Sequence, residues 1–268
     1  ALEPGFIDAC NSLATLHMEQ GATAEARTLF GRVLQLDNKN TSAQHMLAAL
    51  EGQTTQTAPV GYVVGLFDGC AGYFDRHLVD ELEYKVPQDL HRAVSGLVDC
   101  NPQKLDVMDL GCGTGLCGPL FRGMARTMVG VDLSPGMLAV ADERKLYDQL
   151  VTGDITKELR QHEAACDLIL AADVFIYVGG LDQVFKAIGA ALKPGGLLAF
   201  SIEAEEQGDD FVLRPTGRYA HSMAYIGRLA EAFGLREMRL EKSVLRMDKR
   251  QPIDGYIVVL GKPEEGAR

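Results

Sequence analysis

Val107-Met-Asp109-Leu-Gly111-Cys112-Gly113-Thr-Gly115-Leu-Cys-Gly118 decides how this chain is read. The apolar run Leu105 to Leu110 predicts a buried strand, with Asp109 near its end. Gly111, Gly113 and Gly115 follow at every second position, and a helix-compatible segment begins near Leu116. Strand, glycine turn and helix together make a ligand crevice at the carboxyl edge of an α/β sheet. Glycine suits that turn because the backbone must bend sharply and lie against a ligand with no Cβ in the way. The free amides that open the helix favour an anionic ligand group.

Two ligands compete for such a crevice. Gly113-x-Gly115-x-x-Gly118 matches the dinucleotide fingerprint, with Asp132 at a suitable distance for a ribose contact. Asp109, two positions before the first glycine, weighs against it. A carboxylate there opposes a pyrophosphate but pairs with an ammonium group. S-adenosylmethionine carries an amino group, a carboxylate, a ribose and a cationic sulfur. Asp109-x-Gly111-x-Gly113-x-Gly115 resembles the first motif of the class I S-adenosylmethionine-dependent methyltransferases.

The downstream segments resemble the later motifs of that family in the same order. Thr127-Met-Val-Gly-Val-Asp132 is a second apolar strand closed by an acid, and the resemblance implies that Asp132 takes both ribose hydroxyls. A carboxylate offers two acceptor oxygens for two vicinal donors. Leu133 and Met137 follow as implied cofactor contacts, and Ser134-Pro135 reads as the cap and first residue of the next helix. Leu150-Val-Thr-Gly-Asp154-Ile155 resembles the third motif, with Asp154 toward the adenine amino group and Ile155 against the ring. Asp167 to Tyr177 resembles the fourth, which brings Asp173 and Val174 to the cofactor and Tyr177 to the floor of the acceptor site. Leu192-Lys-Pro-Gly-Gly-Leu resembles the turn into the fifth strand. Cys112 reads as a small apolar cofactor-lining residue rather than a reactive thiol.

The resemblance covers about residues 60–262 and implies a Rossmann-like α/β domain of seven mostly parallel strands. The last two strands are expected near Leu235–Arg246 and Tyr256–Leu260, the latter antiparallel. The boundaries that follow are a helical segment at 1–52, a linker at 53–59, lid helices at 60–104 and the cofactor-binding domain at 105–268.

Composition agrees. The 268 residues carry a formal net charge of −11 and no lysine or arginine run, so a nucleic-acid partner meets an unfavourable field. No apolar run reaches membrane-spanning length, no signal-peptide pattern opens the chain, and no membrane partner is expected. The six scattered cysteines form no Cys-x-x-Cys pair, so neither metal nor a disulfide framework is expected, and a reducing cytoplasm suits them.

The first fifty residues read differently. Leu13, Ala14, His17, Gly21, Ala26, Phe30 and Val33 fall at helical spacing on two helices joined near Gln20-Gly21. This resembles one tetratricopeptide repeat, with Asn38 where proline is usual, and a second repeat begins at Thr41. About three repeats are normally needed for independent stability. The segment is therefore either a docking array for a protein partner or a helical cap on the catalytic domain.

The segment from Tyr62 to Val79 precedes the first strand. In the resembled family this region folds over the cofactor as a lid, and Tyr73 is the expected lid contact among Tyr62, Phe67, Tyr73 and Phe74; His77 reads as a packed histidine. Beyond the fifth strand, Arg214, Arg218, Tyr219 and His221 gather a cation pair, a phenol and a titratable base in eight residues. The arginines suit a carboxylate or phosphate on the substrate. His221, with Tyr219, is the candidate for removing a proton from an oxygen or amine nucleophile. Asp173-Val-Phe-Ile stands where amide-nitrogen methyltransferases carry Asn-Pro-Pro-Tyr, which disfavours glutamine and adenine acceptors. The sequence thus points to S-adenosylmethionine-dependent methylation of a small-molecule or peptide acceptor at oxygen, nitrogen or carboxylate. A protein methyltransferase that docks its target through the helical segment, and a non-catalytic adapter, are the alternatives.

Overall fold

The computed structural model describes residues 4–76, 78, 82–98, 104–208 and 210–264. His77 and Cys100 lie outside the described residues. The chain opens with α1 (Pro4–Glu19), α2 (Thr23–Leu36) and α3 (Thr41–Leu50), then α4 (Val60–Asp68), the short α5 (Phe74–Arg76) and α6 (Val86–Ser95). The sheet-forming part follows as β1 (Leu105–Leu110), α7 (Gly118–Phe121), β2 (Ala125–Asp132), α8 (Pro135–Glu143), β3 (Gln149–Thr152), α9 (Ile155–Leu159) and β4 (Cys166–Ala171). A 3-10 turn (Phe175–Tyr177), α10 (Asp182–Ala191), β5 (Leu192–Ala204), β6 (Phe211–Leu213), β7 (Tyr219–His221), α11 (Met223–Ala232), β8 (Arg236–Asp248) and β9 (Gln251–Gly261) complete it.

The sheet has nine strands, not seven. β3, β2, β1, β4 and β5 lie side by side in parallel, and the central strands β1 and β4 are buried over their last four residues, apolar there except for Asp109. β9 runs antiparallel to β5, and β8 antiparallel to β9, as expected for the last two strands. The two extra strands are β6 and β7. β7 pairs in parallel with Glu203 and Ala204, where β5 has run past the last residue it shares with β4. The β6–β7 ribbon therefore stands at the carboxyl edge. Its turn is Arg214-Pro-Thr-Gly217-Arg218, closed by Arg214 N–H to the Arg218 carbonyl at 2.8 Å and with Gly217 at φ 78°. That is a hairpin loop with glycine at the left-handed position, a signal present in the sequence.

Two apolar layers hold the sheet. One packs α9, α10 and α11 on it through Phe175, Phe185, Phe200, Ile188 and Leu229. The other packs α6 and α7 through Leu90, Val94, Phe121 and Met128.

The first three helices form their own small core around Ala14, Ala26, Phe30, Val33 and Met46. They are not detached from the rest. Ala49 of α3 joins Ala58, Leu213 and Tyr219 in a cluster that reaches Tyr62, Tyr177 and Phe211. His45 Nε2 donates to the Gly217 carbonyl at 2.9 Å. Residues 53–59, expected as a linker, lie along the turn after β4. Ala58 N–H donates to the Tyr177 carbonyl (3.0 Å), and Gly179 and Gly180 donate to the Gln56 carbonyl (3.0 and 2.8 Å). Among the described residues no helix is long and apolar enough to cross a membrane.

Candidate active site

The crevice begins where β1 gives way to the glycine loop. Gly111, Gly113 and Gly115 all take positive φ (58°, 55° and 85°), a region that penalises a Cβ. The three differ in what surrounds them. A Cβ on Gly111 would lie 2.6 Å from Val174, and one on Gly115 would lie 2.9 Å from the ring of Tyr147. A Cβ on Gly113 would meet nothing within 4 Å. Two glycines thus make room for protein, and the third borders open space.

Asp132 closes β2 beside that space. Its Oδ2 accepts from Gly113 N–H (2.9 Å) and its Oδ1 from Ser134 N–H (2.8 Å), and Leu133 N–H is a third backbone donor to the carboxylate, which fixes the loop. Burial raises its pKa above the ordinary carboxylate value against those backbone bonds. Ser134 caps α8 by accepting from Met137 N–H, and Asp154 caps α9 by accepting from Lys157 N–H.

Asp109 is 1% exposed. The Tyr147 hydroxyl donates to its Oδ2 at 2.7 Å. Burial pushes the Asp109 pKa up to about 7, with Asp132 adding to the shift and Tyr147 opposing it. Tyr147 is a site residue that sequence reading missed. Its ring lies against Gly115, Gly118 and Gly130, and the bare strand at Gly130 is the signal that something large packs there. Neither Asp109 nor Asp132 has a cationic partner among the described residues. Asp68, from α4, adds a further carboxylate near Asp132.

Burial also makes a pH prediction. The unfolded chain ionises Asp109 above about 4, whereas the folded chain keeps the proton up to about 7. The stability contributed by the neutral acid is therefore complete below the unfolded value and lost as pH rises through 7. Asp109→Asn has no proton to lose. Its stability is expected to gain on that of wild type between pH 5 and pH 8, by about 2–3 kcal/mol, read as a rising difference in melting temperature. Parallel melting curves for the two proteins across that range would refute the assignment.

At the end of β4, Asp173 adopts φ 55°, a conformation aspartate tolerates better than most residues. Its N–H donates to Ser201 Oγ (2.9 Å), and the Ser201 hydroxyl donates back to Asp173 Oδ1 (2.8 Å). Arg246, reaching in from β8 and 3% exposed, donates to Asp173 Oδ2 (2.7 Å) and to Glu203. Burial opposes the arginine charge, but Asp173 and Glu203 outweigh it. The kink presses Val174 over Gly111 and aims the Phe175–Tyr177 turn at the lid. Arg246, Ser201 and Glu203 escaped the sequence reading, because only the fold brings β8 to the end of β4.

The structure places five of the expected site residues as follows. Tyr73 is 53% exposed, and Phe67 faces inward instead, edge-on to Tyr177 at 5.5 Å and to Phe74 at 5.7 Å. Tyr219 is fully buried, its hydroxyl bonded to Thr55 Oγ1 at 2.5 Å. His221 is also fully buried. Its Nε2 donates to the Val178 and Gly179 carbonyls (2.9 and 3.0 Å), so the unprotonated nitrogen is Nδ1, which is sealed with no partner among the described residues. Burial lowers the His221 pKa to about 4. A sealed, weakly basic nitrogen is not placed to take a proton from a substrate; it ties β7 to the turn after β4. Finally, Arg214 bonds the Ala204 carbonyl (2.8 Å) and Glu205 (3.3 Å), and Arg218 pairs with Asp248 at 3.6 Å. Both arginines are engaged within the protein.

Residues 108–200 match the family model of a methyltransferase domain. The matched span runs from β1 to the middle of β5 and contains the glycine loop, Asp132, Asp154 and Asp173. A malonyl-[acyl-carrier protein] O-methyltransferase from Serratia marcescens is 27% identical over 151 residues, 55% of this chain and 56% of that protein. A trans-aconitate 2-methyltransferase from Variovorax paradoxus is 32% identical over 161 residues, 59% and 57% of the two chains. The chain thus spans little more than half the length of these curated relatives. In three dimensions it is similar to an S-adenosylmethionine-dependent methyltransferase from Methanosarcina mazei, with TM-score 0.53 and 14% identity over 64% of this chain and 97% of the other. The N-methyltransferase NodS from Bradyrhizobium japonicum, solved with S-adenosylhomocysteine, gives TM-score 0.53 and 19% identity over 66% and 86%. The fold is the α/β methyltransferase fold with a mostly parallel sheet and added N-terminal helices.

Proposed function

We propose that this chain transfers a methyl group from S-adenosylmethionine to an oxygen of a small carboxylate acceptor. The observation that carries the cofactor is the charge of the crevice. Asp109 and Asp132 flank the glycine loop, both raised by burial and neither paired with a cation among the described residues. A pyrophosphate would worsen that field; a ligand with an ammonium and a sulfonium relieves it. Gly113 leaves the space such a ligand needs, and the Asp132 carboxylate borders it as an acceptor for ribose hydroxyls. Leu133, Met137, Ile155 and Cys112 line the same loops, with Asp154 at the adenine end.

When bound, S-adenosylmethionine supplies a methyl group on a good leaving group. The chain's own residues hold the two reactants in line, a contribution of roughly 7–11 kcal/mol in well-oriented systems. Asp173 and Val174 set the turn between glycine loop and acceptor, and Phe67 and Tyr177 exclude water above it. The acceptor class rests on two supports. The relatives above are named for a malonyl group on an acyl-carrier protein and for aconitate, each of which carries a carboxylate. A carboxylate is already ionised at neutral pH and needs no base, which suits a site whose nearest histidine is sealed. The helical segment serves this reading as a cap on the acceptor side, through Ala49, Thr55 and Gln56, rather than as a docking array.

Calorimetric titration with S-adenosylmethionine, S-adenosylhomocysteine and NAD tests the cofactor. Micromolar binding of the sulfur ligands without NAD is expected; NAD alone binding would end the proposal. Labelled S-adenosylmethionine with carboxylic, phenolic and amine acceptors tests the rest. Fastest turnover of an amine or phenol would overturn the carboxylate assignment.

A further inference from the structure

The segment between the helical cap and β1 meets both cofactor loops through carboxylates. Asp68 is the last residue of α4. A carboxylate at the carboxyl end of its own helix is disfavoured by the helix dipole. Here it lies instead at the amino end of α8, where its Oδ1 accepts from Gly136 N–H at 3.1 Å and from the Ser134 hydroxyl. Gly136 admits this approach: a Cβ there would lie 3.1 Å from Asp68 Oδ1 and 3.5 Å from its Cα. Seven residues on, Asp75 accepts from the Thr114 hydroxyl, inside the glycine loop, and from Arg144 at the end of α8. Arg144 Nε in turn donates to the Thr114 carbonyl at 2.6 Å. The two carboxylates therefore straddle the crevice, one beside Asp132 and one on the glycine loop, with Phe67 and Phe74 packed inward between them.

We infer that Asp68 and Asp75 are paired latches that hold residues 60–76 closed over the crevice, so that unlatching gates cofactor entry and product-cofactor release. The inference rests on the S-adenosylmethionine reading above. Because the latches grip protein on both sides, they favour the closed lid whether or not a ligand lies beneath it. Their loss therefore speeds entry and exit together and leaves the equilibrium nearly unchanged.

Stopped-flow binding of S-adenosylhomocysteine to wild type, Asp68→Ala, Asp75→Ala and the double variant tests this. Both side chains are at least partly exposed, so the variants are expected to fold with unchanged circular dichroism. Charged hydrogen bonds predict association and dissociation rates each about tenfold faster per latch, with Kd changed less than about threefold. Asp68→Asn and Asp75→Asn should give smaller accelerations, since an amide oxygen still accepts. Unchanged rates in the double variant would overturn the latch. So would faster dissociation alone with a matching rise in Kd, which would mark the carboxylates as direct ligand contacts. Absence of S-adenosylhomocysteine binding in wild type would instead strike the cofactor reading.

Discussion

Gly113→Ala is expected to weaken cofactor binding at least about a hundredfold while leaving a folded protein. The two costs separate because the geometry separates them. A methyl group at position 113 meets no protein atom within 4 Å. Folding therefore pays only for an alanine at φ 55°, about 1 kcal/mol, which is a melting shift of about 2–4 °C in a chain of this size. Binding fares worse, since the methyl projects into the space beside Asp132 where a ligand backbone has to lie. A loss of more than about 3 kcal/mol, or a hundredfold in Kd, is the expected scale. Gly111→Ala provides the contrast. Its Cβ falls 2.6 Å from Val174, so the variant is expected to lose several kcal/mol of stability through overpacking. Calorimetry and thermal melts on the two variants distinguish these outcomes. Full affinity in Gly113→Ala would mean that the open face of the loop is not the cofactor's.

The contrast among the three glycines marks what the sequence carried and what it did not. Strand, glycine turn and acid-terminated strand are local signals. Leu105–Leu110 appears at the expected bounds, and β2, β4, β8 and β9 within a few residues of theirs. Local pattern cannot say which glycine faces ligand and which faces protein, because that depends on Val174 and Tyr147, distant in sequence. The same limit explains His221. Its side-chain chemistry suits a base, but the carbonyls of Val178 and Gly179 claim its proton, and no spacing rule predicts a contact across 42 residues. Phe67 lies on α4 whereas Tyr73 falls in the turn between α4 and α5, and a short lid with no long periodic run does not reveal where its helix ends. The β6–β7 ribbon, like the Tyr147 packing marked by Gly130, is an omission with a signature in the sequence, its Pro-Thr-Gly loop. Arg246 had none: a lone arginine in an edge strand reads as solvated until the fold closes Asp173 and Glu203 around it.

Removal of residues 1–57 is expected to cost the domain its cooperative fold. Water can replace the hydrogen bonds that leave with the segment, such as Gln56 to Gly179 and Gly180 or Thr54 to Leu213 N–H. It cannot replace the apolar cover. Tyr219 has no exposed surface in the full chain and Leu213 has almost none, and both are sealed by Ala49 with help from Ala48. Tyr62 would also lose His45, whose ring lies 4.6 Å away, and the core beneath α2 and α3. Exposing side chains of this size costs about 1.5–3 kcal/mol each. Three of them amount to about 5–9 kcal/mol, comparable with the total stability of an ordinary domain. The truncated protein should therefore bind a hydrophobic dye, lose near-ultraviolet circular dichroism and melt without a sharp transition. A helical array used only for docking would behave otherwise. Its removal would leave the melting curve and cofactor affinity of the remaining chain intact and weaken only a macromolecular substrate. Truncation that preserves a sharp melt would restore the docking reading. A double variant, Ala49→Glu with Thr55→Ala, checks the cap without truncation, since it disrupts the seal on Tyr219 and leaves α1, α2 and their core in place.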